Sequence, residues 1–159
     1  VTLEENSALK ARVVWQWLLD NDLLGVVDGV FADDTGLEIS ALGGAPGVRT
    51  ARWAGDDACD MNNRQKALKE LLGIEDRSAR FRTVVTLILN GQIHQVDGIV
   101  NGQISTIEEG DGGFGYDPIF IPEGYDKTFA SLDAQEKNAI SHRGRAMEEL
   151  KKIVEKVSK

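Results

Sequence analysis

The sequence predicts an α/β fold in one domain spanning residues 1–159, and three features of the chain point to it. Apolar residues recur with the helical period in some segments and alternate with the strand period in others, and the two kinds of segment take turns along the chain. No internal repeat, low-complexity tract or linker composition marks a boundary between domains. A length of 159 residues suits one core that buries roughly 70% of the unfolded surface, so neither disulfides nor a structural metal is needed.

Thr2 followed by Glu5 has the spacing of a capping box, and Leu9, Val13, Trp17 and Leu18 fall on one helical face. A helix is therefore expected over residues 3–20, with that face inward. Residues 26–32 read as a short buried strand that delivers Asp33 and Asp34 at its end, and 37–41 as another short extended piece. The run Gly43-Gly44-Ala45-Pro46-Gly47 reads as a turn or loop. Leu68, Leu71 and Leu72 predict a helix closed by Gly73.

Residues 79–89 are rich in β-branched side chains, and Asn90-Gly91 is a two-residue hairpin turn. The strand returns over 92–100. Asn101-Gly102 then predicts a second turn into 103–107, completing a three-stranded meander. Ile119-Phe120-Ile121 reads as a short strand, and Asp133 with Glu136 offers a second capping box. A last helix over 141–157 is expected to bury Ala146, Met147, Leu150, Ile153 and Val154.

The net charge of −8 and pI near 4.8 exclude a protein that coats nucleic acid or an anionic membrane, since either partner requires a basic face. A small phosphorylated ligand stays open, because it needs only a local positive site and a divalent cation. The single cysteine, Cys59, permits no internal disulfide and lacks zinc-site spacing, which fits a cytoplasmic setting. No apolar run approaches the roughly 18 residues that span a bilayer.

Three stretches read as one nucleotide site. The first is Phe31-Ala32-Asp33-Asp34-Thr35-Gly36-Leu37. Asp-Asp-Thr-Gly is also an ordinary turn composition, but in an extended segment the two carboxylates point to opposite sides. One is then free to face the ligand, hold magnesium and orient a water, while the other fixes the loop. The second stretch is Gly110-Asp111-Gly112-Gly113-Phe114-Gly115-Tyr116-Asp117-Pro118. Phe114 and Tyr116 flank Gly115, so an aromatic face is available to stack on a base where a missing side chain lets the ring approach. Phe114 judged alone is equally a core residue. The third stretch is Ile140-Ser141-His142-Arg143-Gly144-Arg145. His142 and Arg143 open a helix whose unpaired N–H groups favour oxygen acceptors, and Arg suits the O6 and N7 of a 6-oxopurine. The alternative is a solvated charged face. Lys137 lies near enough in sequence to join this set, whereas His94, in an alternating strand beside the hairpin, reads as surface structure.

These blocks, together with Ala41-Leu42-Gly43-Gly44-Ala45-Pro46-Gly47-Val48 and Glu136-Lys137-Asn138-Ala139-Ile140-Ser141-His142-Arg143-Gly144, resemble the inosine/xanthosine triphosphate pyrophosphatase family, also called Ham1-like. The resemblance runs from Val1 to about Leu150, with the blocks in family order. It implies an α/β fold with a long twisted mixed sheet flanked by helices, two lobes around a central cleft, and a homodimer. It also implies hydrolysis of the purine nucleotides ITP, dITP and XTP to the monophosphate and pyrophosphate, with Mg2+. Carried over by position, Asp34 matches the proton acceptor and metal-associated carboxylate, and Thr35 a substrate-contacting hydroxyl. Phe114, Gly115, Tyr116 and Asp117 match the base-binding loop, and Lys137, His142 and Arg143 the residues that recognise the 6-oxopurine.

The chain departs from the family pattern at Arg49 and Trp53, where aromatic residues are more usual, and at Thr35, the less common hydroxyl. The resemblance further implies an amino-terminal Thr/Ser-x-x-Asn-x-x-Lys motif, an acidic residue ahead of Val1, and a first strand and helix, none of them in the 159 residues. A chain without them is expected to expose a sheet edge and to be inactive or poorly stable, although the parent protein is expected to be active. Two other readings accompany this one: a Maf-like nucleotide pyrophosphatase with another base preference, and a nucleotide-binding remnant that senses purines without hydrolysing them.

Overall fold

The computed structural model describes residues 1–158. Helix α1 runs over Leu3–Asp20, and both halves of its capping box form: the Glu5 N–H donates to Thr2 Oγ1 at 3.1 Å and the Thr2 N–H to Glu5 Oε2 at 2.9 Å. Its buried residues are Leu3, Ser7, Ala11 and Leu18. Of the four residues expected inward only Leu18 is buried; the other three turn outward, with Leu9 60%, Val13 60% and Trp17 57% exposed. Small residues decide this, because Ser7 and Ala11 let the helix lie close on the sheet, where Ser7 Oγ hydrogen-bonds Thr86 Oγ1.

Strand β1 is one continuous run, Gly29–Ile39, rather than two short pieces, so Asp33 and Asp34 lie in mid-strand and not at a strand end. The turn propensity of Asp-Asp-Thr-Gly yields to an eleven-residue ladder with β2, Ser78–Leu89, in which Asp33 pairs Val85 and Asp34 pairs Val84. Gly36 serves packing, since a Cβ there would lie 2.7 Å from the Gly47 carbonyl oxygen. Helix α2, Asp60–Glu70, is followed by Gly73 in the left-handed region, as the sequence predicts.

Asn90 and Gly91 both take positive φ, making the predicted tight turn between β2 and β3. Strand β3, however, extends over Gln92–Ile104 without the second turn at Asn101-Gly102. Gly102 is a close-approach glycine: it pairs Pro122 of β4, Phe120–Pro122, and a Cβ would sit 2.3 Å from the Ile121 oxygen and 2.6 Å from the Phe120 ring. Helix α3, Ala134–Ala139, carries the predicted Asp133–Glu136 capping box. Helix α4, His142–Val157, starts from Ser141, whose Oγ accepts the Gly144 N–H. It buries Ala146 and Leu150, with Ile153 partly buried, whereas Met147 and Val154 are exposed.

The sheet order is β1-β2-β3-β4. Among the described residues every pairing is antiparallel rather than mixed, as consecutive strands lying side by side need no crossover of the kind that parallel neighbours require. Helix α1 packs on β1 and β2 from one face and α4 on β2 and β3 from the other. Val85, Leu87 and Leu89 meet Ala146 and Leu150 under α4, and the same sheet face continues into Phe81, Leu37, Ile39, Val100 and Ile104, covered by Phe120, Phe129 and Leu71. Among the described residues no helix is long and apolar enough to cross a membrane.

Candidate active site

The alternation of an extended strand sends the two carboxylates of β1 to opposite faces. Asp34 faces α1: Lys10 Nζ donates to its Oδ1 at 2.7 Å and Asn6 Nδ2 to its Oδ2 at 3.3 Å. Lys10 also donates to the Asp33 carbonyl oxygen at 2.8 Å, closing the first helix onto the strand. Asp33 faces α4, and Arg143 donates to its Oδ2 through Nε at 3.0 Å and Nη2 at 2.9 Å. Between them these contacts tie α1 and α4 to one dipeptide.

Thr35 shares the Asp33 face. Its Oγ1 lies 2.8 Å from Thr83 Oγ1, which lies 2.7 Å from His142 Nδ1. The imidazole is stacked on Phe81, with centroids 5.2 Å apart and planes 21° apart. Burial, and next the adjacent Arg143 charge, hold His142 well below the usual imidazole range, at about 4, so it is neutral at physiological pH. Its position follows from a glycine: Gly98 of β3 has no side chain, and a Cβ there would come within 2.0 Å of the His142 carbonyl oxygen and 2.4 Å of the Ala146 nitrogen. The first turn of α4 therefore rests directly on the sheet.

The glycine loop is organised by Asp117. Its Oδ2 accepts Lys137 Nζ at 2.9 Å and the Phe114 N–H at 3.2 Å. Gly113, with φ 81°, passes so close that a Cβ would overlap this carboxylate at 2.2 Å. Helix α2 grips the next peptide from both ends: the Gly115 N–H donates to Asp60 Oδ2 at 2.9 Å, and Arg64 Nη1 donates to the Gly115 oxygen at 2.9 Å. Held this way, Phe114 is 79% exposed while open space surrounds the missing Gly115 side chain. An aromatic ring kept out of the core by a rigid loop suits stacking on a flat ligand. Tyr116, by contrast, is buried in the core and its hydroxyl donates to the Thr50 oxygen at 2.7 Å; burial pushes its pKa up.

Thr35, Asp117, Lys137, His142 and Arg143 thus gather on the α4 side of β1. Asp34 stands across the strand, joined to them through Asp33. Lys10, Asn6, Asp60, Arg64 and Thr83 are additions that the sequence did not single out. Asn6 and Lys10 sit one helical turn apart, a usable signal that the misassigned inward face of α1 concealed. Thr83 lies in a run of strand residues, with nothing local to mark it.

A model of the Ham1 family matches residues 1–153. The dITP/XTP pyrophosphatase of Flavobacterium johnsoniae is 46% identical over 149 residues, covering 94% of this chain and 73% of that protein. The dITP/XTP pyrophosphatase of Bacillus subtilis is 45% identical over 157 residues, covering 97% and 75%. Among solved structures, the Ham1 protein of Staphylococcus aureus superposes with a TM-score of 0.85 at 37% identity, covering 98% of this chain and 77% of that one. A HAM1 protein from Coxiella burnetii gives 0.83 at 41% identity, with the same coverage.

Proposed function

This chain belongs to the Ham1 family, and on that footing we propose that it is a nucleoside triphosphate pyrophosphatase that hydrolyses dITP, XTP and ITP to the monophosphate and pyrophosphate. Such an enzyme cleanses the nucleotide pool of altered purines. The observation that carries the reading is the convergence of the Asp117–Lys137 pair, His142 and Arg143 on the strand that bears Asp33 and Asp34. Neither a Maf-like enzyme nor a non-hydrolysing purine sensor is favoured by the relatives.

In this mechanism the purine lies against Phe114, and Lys137, His142 and Arg143 offer donors to its oxygens. Adenine presents an amino donor at position 6, so it leaves buried donors unpaired at a cost of roughly 1–3 kcal/mol. Asp34 orients a water and accepts its proton as the oxygen attacks the α-phosphorus in line. The bond to the bridging oxygen breaks and pyrophosphate departs. Lys10, paired to Asp34 at 2.7 Å, puts a positive charge beside the point where phosphate charge accumulates.

Mg2+ belongs to the proposal. Among the described residues no group of three or more His, Cys, Asp or Glu side chains forms a cage for a metal. One carboxylate, Asp34, suits an ion that is held by one or two carboxylates plus substrate phosphates and water. When bound, such an ion supplies charge neutralisation for the triphosphate. A homodimer acting in the cytoplasm is part of the same proposal. The exposed Leu9, Val13 and Trp17 support an assembled state, and sedimentation velocity tests it.

The direct experiment compares pyrophosphate release from dITP, XTP, dGTP and dATP by the parent protein. Preference for dITP and XTP is expected, and release of orthophosphate alone, or equal rates on all four, refutes the reading. In the parent protein Asp34→Asn is expected to lower kcat by about 10²–10⁴-fold while the Kd for a non-hydrolysable ITP analogue stays within a few-fold. Wild-type turnover in that variant rules out the assigned role.

A further inference from the structure

Thr83 is fully buried in the middle of β2, and its hydroxyl lies between two polar neighbours, Thr35 Oγ1 at 2.8 Å and His142 Nδ1 at 2.7 Å. A hydroxyl carries one proton, so it donates to one neighbour and accepts from the other. If Thr83 donates to Nδ1, it accepts from Thr35; the Thr35 proton is then spent inside the protein and the imidazole carries its proton on Nε2. If the order is reversed, Nδ1 carries the proton and the Thr35 hydroxyl faces outward as the donor. The three groups therefore present one outward donor, at one end or the other.

Three considerations select the first arrangement. Among the described residues His142 is hydrogen-bonded through Nδ1, to Thr83, and Nε2 has no protein partner, so Nε2 is the nitrogen left for a ligand. The stacked Phe81 ring restricts rotation that would exchange the two nitrogens. The Nε2–H form is also the intrinsically more stable tautomer of a neutral imidazole side chain, and in proteins the partner of the other nitrogen fixes the choice.

We infer that Thr83 is a specificity-positioning residue: by donating to His142 Nδ1 it holds the Nε2–H tautomer, which offers a donor to a 6-oxo group and no acceptor to a 6-amino group. Thr35 is coupled to the same choice, because its hydroxyl proton is committed to Thr83 when His142 is the donor. A 6-aminopurine can be accommodated only by reversing both hydroxyls and moving the imidazole to its less stable tautomer. The inference rests on the purine reading above, and it adds a buried residue that touches no substrate.

Two measurements test it separately. Long-range 1H–15N correlation on the 15N-labelled chain at pH 7, with His94→Gln to assign the two histidines, reads the tautomer without any substrate. A protonated Nε2 and an acceptor Nδ1 are expected for His142, and Thr83→Val is expected to shift the Nδ1 resonance to that of an unbonded acceptor. A protonated Nδ1 in the unsubstituted protein overturns the proposal. Kinetics on the parent protein then compare kcat/KM for ITP and ATP. Thr83→Val, equal in shape but without the hydroxyl, is expected to shrink the ITP-over-ATP ratio by about tenfold, the effect of one buried hydrogen bond, and Thr83→Ser to restore it. An unchanged ratio in Thr83→Val also overturns the proposal. If ITP is left intact by a protein with the expected tautomer, it is the substrate reading that fails, and the specificity claim falls with it.

Discussion

Replacing Gly98 by alanine tests how the site is held, because the added methyl lands where α4 meets the sheet. Its Cβ would lie 2.0 Å from the His142 oxygen, 2.4 Å from the Ala146 nitrogen and 3.0 Å from the Arg145 Cβ, against 3.4 Å for ordinary contact. The helix start must therefore retreat by about 1.4 Å, and the obstacle is backbone on both sides, so no side-chain rotation relieves it. A displacement of that size breaks the 2.7 Å contact between Thr83 and His142 and the 2.9 and 3.0 Å contacts between Arg143 and Asp33. Overpacking of this kind costs about 1–3 kcal/mol. The buried Thr83 bond adds about 1 kcal/mol, while the exposed Arg143–Asp33 pair adds little. For a chain of this length the total corresponds to a fall in Tm of about 5–10 °C. Scanning calorimetry gives the Tm, and pyrophosphate release from ITP gives kcat/KM. A Gly98→Ala protein with unchanged Tm and turnover refutes the claim that direct helix–sheet contact positions His142 and Arg143.

Phe114→Ala removes an exposed ring that contributes nothing to the core, so stability should hold, while KM for ITP rises with kcat little changed; a stacked base is worth about 1–3 kcal/mol. An unchanged KM assigns the ring another role. His142 also makes folding pH-dependent. Its folded pKa of about 4 lies below the usual 6.5, so the unfolded chain binds the extra proton between those values. Stability is therefore full above pH 6.5 and falls as the pH drops toward 4, by about 3 kcal/mol in all. Urea titrations of the unsubstituted protein and of His142→Gln isolate this contribution from that of the carboxylates, and parallel pH profiles for the two proteins count against it.

Local chemistry makes much of this molecule readable in the order of its residues. Both capping boxes, the Asn90-Gly91 turn and the glycine after α2 are decided by neighbours a few residues apart, and each forms as expected. The motif residues are legible for the same reason: Asp33-Asp34-Thr35, the Phe114–Asp117 loop and the Lys137, His142 and Arg143 set are contiguous blocks whose composition suits carboxylate chemistry, ring stacking and oxygen recognition. Legibility ends where a distant partner overrides a local preference. Leu9, Val13 and Trp17 have a perfect helical period, yet small Ser7 and Ala11 face the sheet because close approach and the Thr86 contact outweigh the larger side chains. Asn101-Gly102 has turn chemistry, but β4 lies against it and the glycine is needed for clearance.

The site divides the same way. Which groups carry the chemistry follows from side-chain type, a property of each residue that the chain states by itself. Which of them meet is a matter of strand register and of the clearance left by a missing Cβ. Register put Asp33 under Arg143 and Asp34 under Lys10, and Gly98 let His142 reach Thr83. Contacts such as Asp33–Arg143 join residues 110 positions apart, and no local propensity encodes a partner at that distance; only the assembled sheet, with a helix pressed to each face, selects it.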